Sequence, residues 1–168
     1  MQALRDLVTE IPDFPKPGIL FRDISPLLRT RFDATIGAVE ALFSADEWRA
    51  VDAVAGIESR GFILAAALAD RRRKGFVPIR KKGKLPPPVV DVSYDLEYGS
   101  GVLEMQTGCG RLLMIDDVLA TGGTLTASVS LASLAGYTIV GMGVLLDLGM
   151  APGFRCGGFE ARSVLGYG

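Results

Sequence analysis

Leu112-Leu113-Met114-Ile115-Asp116-Asp117-Val118-Leu119-Ala120-Thr121-Gly122-Gly123-Thr124 runs four apolar residues into two adjacent carboxylates and then into a loop of small residues. An apolar run bounded by acids and glycines fits a strand buried on both faces of a parallel sheet. In open α/β sheets ligands lie beyond the carboxyl ends of the strands, so Asp116 and Asp117 emerge where a ligand would be. Two neighbouring carboxylates are costly to bury alone, and the vicinal hydroxyls of a ribose or a hydrated cation would satisfy them. Thr121-Gly122-Gly123-Thr124 adds glycines that permit positive φ, closely spaced N–H donors and two hydroxyls. Leu125 to Leu134 has helical composition, so the loop opens a helix whose N-terminus attracts an anion. The loop is not a Walker A motif, because Gly123 is followed by Thr124-Leu125, and no G-x-G-x-x-G opens the helix. One phosphate with one ribose fits it best.

Either side of this stretch, Ala53 to Gly56 reads as a short strand, Gly61 to Arg73 as a helix, Phe76 to Ile79 as a strand and Tyr137 to Leu146 as another buried strand. A further short strand fits near Ser163 to Leu165 in a glycine-rich tail. This alternation predicts βαβ crossovers, and hence an α/β fold with a mainly parallel sheet flanked by helices. Upstream, Ala3 to Val8 and Asp33 to Phe43 have helical patterns, while the proline-rich run from Pro12 to Pro26 reads as an ordered loop. Lys81 to Met105 combines Pro86-Pro87-Pro88, several glycines and alternating segments around Val89 to Tyr94 and Val102 to Met105. A connection this long in a compact domain is usually functional, and it reads as a mobile lid carrying a hairpin.

With 168 residues and 49% hydrophobic content, the chain can bury a real core and is expected to form one domain over 1–168. A net charge of −1 offers no general attraction to polyanions, so no nucleic-acid partner is expected. No window approaches the roughly 20 apolar residues of a membrane span, and no basic region followed by an apolar core opens the chain. Cys109 and Cys156 form no metal-ligand or disulfide framework, which makes a reducing cytoplasm the expected setting. There is no histidine, which excludes a Ser-His-Asp triad and leaves carboxylates and basic groups to carry any chemistry.

Two basic segments are candidate anion sites. Glu58-Ser59-Arg60-Gly61 falls at a strand-to-helix junction, where backbone N–H groups and a guanidinium fork suit a pyrophosphate. Arg80-Lys81-Lys82-Gly83-Lys84 ends a strand beside the lid, with Lys82 expected to face solvent. Arg71-Arg72-Arg73-Lys74 ends a helix, where cations complement the dipole, and receives no catalytic role.

The Asp116 to Thr124 string resembles the phosphoribosyl-diphosphate (PRPP) binding motif of type I phosphoribosyltransferases. Phe14-Pro15-Lys16-Pro17-Gly18-Ile19-Leu20-Phe21-Arg22-Asp23-Ile24-Ser25-Pro26-Leu27-Leu28, Gly56-Ile57-Glu58-Ser59-Arg60-Gly61-Phe62 and Tyr94-Asp95-Leu96-Glu97-Tyr98-Gly99 are similar to the adenine phosphoribosyltransferase branch of that family. The resemblance implies a Rossmann-like type I fold with an N-terminal arm and base-binding hood over 1–32 and a mobile lid over 82–106. It implies displacement of pyrophosphate from PRPP by adenine, giving AMP in purine salvage through an oxocarbenium-like state. On this pattern Asp116, Asp117, Ala120, Thr121, Gly122, Gly123 and Thr124 hold the ribose 5-phosphate, while Glu58, Ser59, Arg60, Arg80, Lys81 and Lys84 face the pyrophosphate. Leu20, Phe21 and Arg22 bind adenine, Glu97 manages the proton of the purine, and Tyr98 packs in the lid. The family often places a non-proline cis peptide before the arginine, here Glu58-Ser59. Mg²⁺ is implied as a companion of PRPP rather than the occupant of a protein cage, with Asp116 and Asp117 positioning the ribose hydroxyls and, indirectly or in part, the metal. A homodimer is also implied.

The alternatives are a phosphoribosyltransferase for hypoxanthine, guanine or xanthine, which the Leu20 to Arg22 and Glu97 segments disfavour, and a PRPP-sensing regulator, for which no DNA-binding extension is present. The chain departs from the family pattern in a short Met105-to-Arg111 connection and in Pro86-Pro87-Pro88.

Overall fold

The computed structural model describes residues 2–96 and 99–168. A helical turn α1 (Gln2–Arg5) leads into an antiparallel ribbon of β1 (Thr9–Ile11) and β2 (Phe21–Asp23), followed by α2 (Ser25–Thr30), α3 (Phe32–Glu40) and α4 (Ala45–Ala50). Then come β3 (Ala53–Ile57), α5 (Arg60–Arg72) and β4 (Gly75–Lys81), the hairpin β5 (Val89–Leu96) and β6 (Gly99–Gln106), and β7 (Gly110–Leu119) with α6 (Gly123–Leu134). The chain closes with β8 (Tyr137–Asp147), β9 (Arg155–Cys156) and β10 (Phe159–Gly166).

β3 to β10 form one sheet in the order β5-β6-β4-β3-β7-β8-β10-β9. Its middle, from β4 to β10, is parallel, as the alternation of strand and helix predicts. From β3 the chain crosses through α5 to β4 on one side, and from β7 it crosses through α6 to β8 on the other. Right-handed crossovers in opposite directions put α5 and α6 on opposite faces. The core divides accordingly. Val54, Leu113 and Ile115 pack with Leu64, Ala65 and Leu68 of α5, with Ile24 just before α2, and with Leu27, Ile36 and Val39 from the upstream helices. Ala55, Ile57, Leu112 and Met114 pack with Leu125, Leu131 and Ala132 of α6. Successive residues of one strand thus serve two cores, which is why Leu112 to Ile115 is continuously apolar.

Several local features differ from expectation, the first being that the helix expected over Ala3 to Val8 ends at Arg5. The Pro12–Pro26 run is not loop throughout, since it holds β2 and the start of α2, where Pro26 sits in the first turn and its missing N–H does no harm. The short helix α4 was not anticipated, although Ser44 and Glu47 form a reciprocal capping box at its start. Arg71 and Arg72 do more than complement a dipole, because they pair with Asp33 and Glu40 and tie α5 to α3. The segment expected to act as a lid forms the expected hairpin, which joins the sheet through Arg80↔Glu104 and Lys81↔Leu103. Among the described residues no helix is long and apolar enough to cross a membrane.

Candidate active site

The two crossovers diverge between β3 and β7, and the crevice beyond the carboxyl ends of these strands is the expected ligand position. β3 follows β7 only as far as Gly56↔Ile115, whereas β7 stays paired with β8 to Leu119↔Asp147. Asp116 and Asp117 are therefore inside β7 rather than past its end, but they stand where the partner strand on one side has already left. Both are buried, at 7% and 8% exposure. Asp116 Oδ1 accepts the Asp117 N–H at 2.9 Å, and Asp117 Oδ2 lies 2.6 Å from an Arg60 guanidinium nitrogen. Burial, reinforced by the charge of Asp117, pushes the Asp116 carboxyl well above the usual carboxylate range.

Behind the acids, Gly122 takes φ +86° and α6 begins at Gly123. A side chain at 122 would run into the Phe154 ring, so conformation and space both call for glycine. No side chain caps α6, which leaves its first N–H groups without side-chain partners, and its first turn lines a small cavity of about 100 Å³ together with Asp116 and Val118 to Gly122. That is a phosphate-sized cup at a helix N-terminus. Tyr94, from β5, hydrogen-bonds the Thr124 side chain at its rim, and burial raises its phenol.

Next to the cup opens a cavity of about 650 Å³ lined by Gly18 to Arg22, Arg60, Val118, Ala120, Thr121, Gly123, Thr124, Leu148 and Met150. Leu20, Phe21 and Arg22, expected to bind a base, are thus brought to the same space as the loop expected to bind phosphate. The Arg60 guanidinium lies 5.0 Å from the Phe21 ring centroid and donates to the Arg22 carbonyl at 3.4 Å, which joins hood and acid pair. Arg22 itself pairs with Glu10 at 3.0 Å and stacks 4.1 Å from the Tyr167 ring.

Glu58–Ser59 is a cis peptide, at the position implied by the family resemblance. Burial pushes the Glu58 carboxyl up, but the Lys81 amide and the Arg80 side chain outweigh it and hold it below its ordinary range. Arg80 Nε and the Lys81 N–H both donate to Glu58 Oε2 at 3.1 Å, so Glu58 orients the basic segment. Ser59 precedes α5 without a side-chain cap bond. Lys82 is exposed and pairs with Asp91. Glu97 and Tyr98 lie outside the described residues.

Gly18, Ile19, Val118, Leu148 and Met150 were missed by the sequence reading. For Leu148 and Met150 a signal existed, since they follow directly after a buried parallel strand, where ligand loops are expected. Nothing local distinguishes the others. Among the described residues no cluster of three or more acidic or thiol side chains could cage a metal ion. The adjacent carboxylates Asp116 and Asp117 instead suit a cation held mostly by water and substrate oxygens.

The family model of the phosphoribosyl transferase domain matches residues 33–152. An adenine phosphoribosyltransferase of Hydrogenovibrio crunogenus is 51% identical over 165 residues, covering 98% of this chain and 96% of that protein. One from Bdellovibrio bacteriovorus is 52% identical over 145 residues, 86% of this chain and 87% of that protein. The crystal structure of adenine phosphoribosyltransferase from Rhodothermus marinus superposes with a TM-score of 0.84 at 39% identity, covering 98% of this chain and 97% of that one. The Saccharomyces cerevisiae enzyme, complexed with an imino-altritol bisphosphate and adenine, superposes with a TM-score of 0.86 at 29% identity over 97% of both chains.

Proposed function

The chain belongs to the phosphoribosyl transferase family, and from that premise we propose how its residues divide the work of an adenine phosphoribosyltransferase. The reaction joins adenine to the anomeric carbon of PRPP, releasing pyrophosphate and leaving AMP. The observation that carries the residue assignment is the sharing of one cavity wall by the hood segment Leu20 to Arg22 and the loop Ala120 to Thr124. A base against the first and a ribose 5-phosphate on the second are then adjacent.

In this reading the α6 N-terminus with Thr121 to Thr124 takes the 5-phosphate, and Asp116 and Asp117 accept the ribose hydroxyls. Phe21 lines the adenine site, while backbone groups of Leu20 and Arg22 read the edge of the base, because stacking alone does not separate a 6-amino from a 6-oxo purine. Arg60, Arg80, Lys81 and Lys84 take the diphosphate, with Ser59 at the turn and Glu58 as their brace. Mg²⁺ bound with PRPP would lie near Asp116 and Asp117 and screen the charge of the departing diphosphate. As that group leaves, positive charge grows on the ribose ring beside the Asp116–Asp117 pair. Glu97 handles the proton of the purine and Tyr98 packs beside it. The lid over 82–106 excludes water, within a single domain over 1–168 whose arm is 1–32. A cytoplasmic homodimer completes this reading, with exposed Ile63 and Phe76 offering apolar surface to a second copy.

An assay with PRPP, Mg²⁺ and each purine in turn tests the base assignment. AMP from adenine, with no IMP or GMP from hypoxanthine or guanine, is expected, and comparable turnover of a 6-oxopurine would overturn it. Glu97→Gln should lower kcat by about 10²-fold or more, the usual weight of a positioned acid–base group. An unchanged kcat would remove Glu97 from the chemistry.

A further inference from the structure

Glu104 stands on β6 opposite Arg80 of β4 and is 3% exposed. Its carboxylate accepts three consecutive backbone N–H groups, from Gly83 at 2.9 Å, Lys84 at 2.6 Å and Leu85 at 2.6 Å. Three converging amides form an anion-binding nest, here filled by a side chain of the protein itself. Gly83 takes φ +82°, the turn that aims these amides together. The Gly83 amide, followed by the other two, holds the carboxyl below its ordinary range. The same segment is tied at its other end, because Arg80 donates to the Lys84 carbonyl at 3.2 Å and to Glu58 at 3.1 Å.

We propose that Glu104 is a positioning residue for the diphosphate of PRPP. By gathering the amides of Gly83 to Leu85 it sets the curve of the chain from Arg80 to Lys84, so that Arg80, Lys81 and Lys84 converge on one leaving group. Glu58 braces the segment from the β3–α5 junction and Glu104 from the lid hairpin. The inference rests on the assignment of that basic segment to diphosphate.

The test compares Glu104→Gln, Gly83→Ala and Arg80→Ala in KM for PRPP, Ki for pyrophosphate, KM for adenine, kcat and Tm. A glutamine keeps the shape but brings an NH₂ donor against amide donors. Glu104→Gln should raise the PRPP KM and the pyrophosphate Ki about tenfold, the scale of one lost charge-assisted hydrogen bond. The adenine KM should stay within about twofold. Gly83→Ala meets no atom within 4 Å but is strained by its φ, and should move the same two constants the same way by less. If Glu104→Gln does not fold, Gly83→Ala decides. Equal changes in both substrates, or a fall in Tm or kcat alone, would make Glu104 an anchor of the hairpin and overturn the proposal. A rise in both constants for Arg80→Ala alone overturns it too. No rise even in Arg80→Ala removes the diphosphate assignment, and the inference with it.

Discussion

Asp116 lies buried beside Asp117, and the Arg60 guanidinium contacts the second acid rather than the first. Burying a carboxyl next to a like charge disfavours its ionised form, so this residue works against the ligand-free fold, the cost expected of a group placed for a ligand. Asp116→Asn should therefore raise the Tm of the ligand-free protein, by about 1 kcal/mol of stability, while lowering kcat/KM for PRPP about tenfold or more. Calorimetry without PRPP and steady-state kinetics with it would check both halves. A lower Tm together with unchanged kinetics would mean that Asp116 is a structural acid.

The loop after β7 is the element whose geometry is most restricted. Gly122→Ala would force a side chain toward Phe154 at φ +86°, and the left-handed conformation alone costs about 1–2 kcal/mol. The expected result is a PRPP KM raised about tenfold or more, read from PRPP saturation at fixed adenine.

This loop was legible in the sequence because its chemistry is local. The acids, the glycines and the hydroxyls stand within nine consecutive residues, Asp116 to Thr124. The helix α4 was also encoded locally, in Ser44 and Glu47, but six residues carry too little periodicity to be noticed without the cap. The attachment of the β5–β6 hairpin to β4 through two residue pairs, and the entry of Gly18 and Ile19 into the cavity, depend on contacts between distant segments. Pattern within a window does not carry that information. The same limit applies to Asp116 and Asp117, whose place inside β7 follows from how far β8 runs beside it.

At the scale of the molecule, two ion pairs join segments far apart in sequence. Glu47 of α4 meets Arg162 of β10 at 2.6 Å, and Asp52 before β3 meets Arg111 of β7 at 2.9 Å. The Arg162 side chain lowers Glu47 to about 2, and the Arg111 side chain lowers Asp52 to about 2. Carboxyls depressed in the folded state stabilise it fully above their unfolded values near 4, and the contribution disappears as pH falls through about 2. Both pairs are partly exposed, so each contribution is small and screened by salt. Thermal melts should show Tm falling between pH 4 and pH 2, with a shallower fall in a Glu47→Gln, Asp52→Asn double variant. An identical acid limb in the two proteins would assign the loss to other carboxyls.

β5 is the outermost strand on one side of the sheet, and β9, with two residues, is the outermost on the other. A long edge strand is a template on which a neighbouring chain can add itself and begin an aggregate. Pro86-Pro87-Pro88 stands immediately before β5, and the exposed Asp91 within β5 pairs with Lys82, which follows β4. Proline has no amide to donate to an incoming strand, and a charged residue on the edge resists a dry contact. Pro86-Pro87-Pro88 thus leaves the entry to β5 without amides for an incoming strand to pair with.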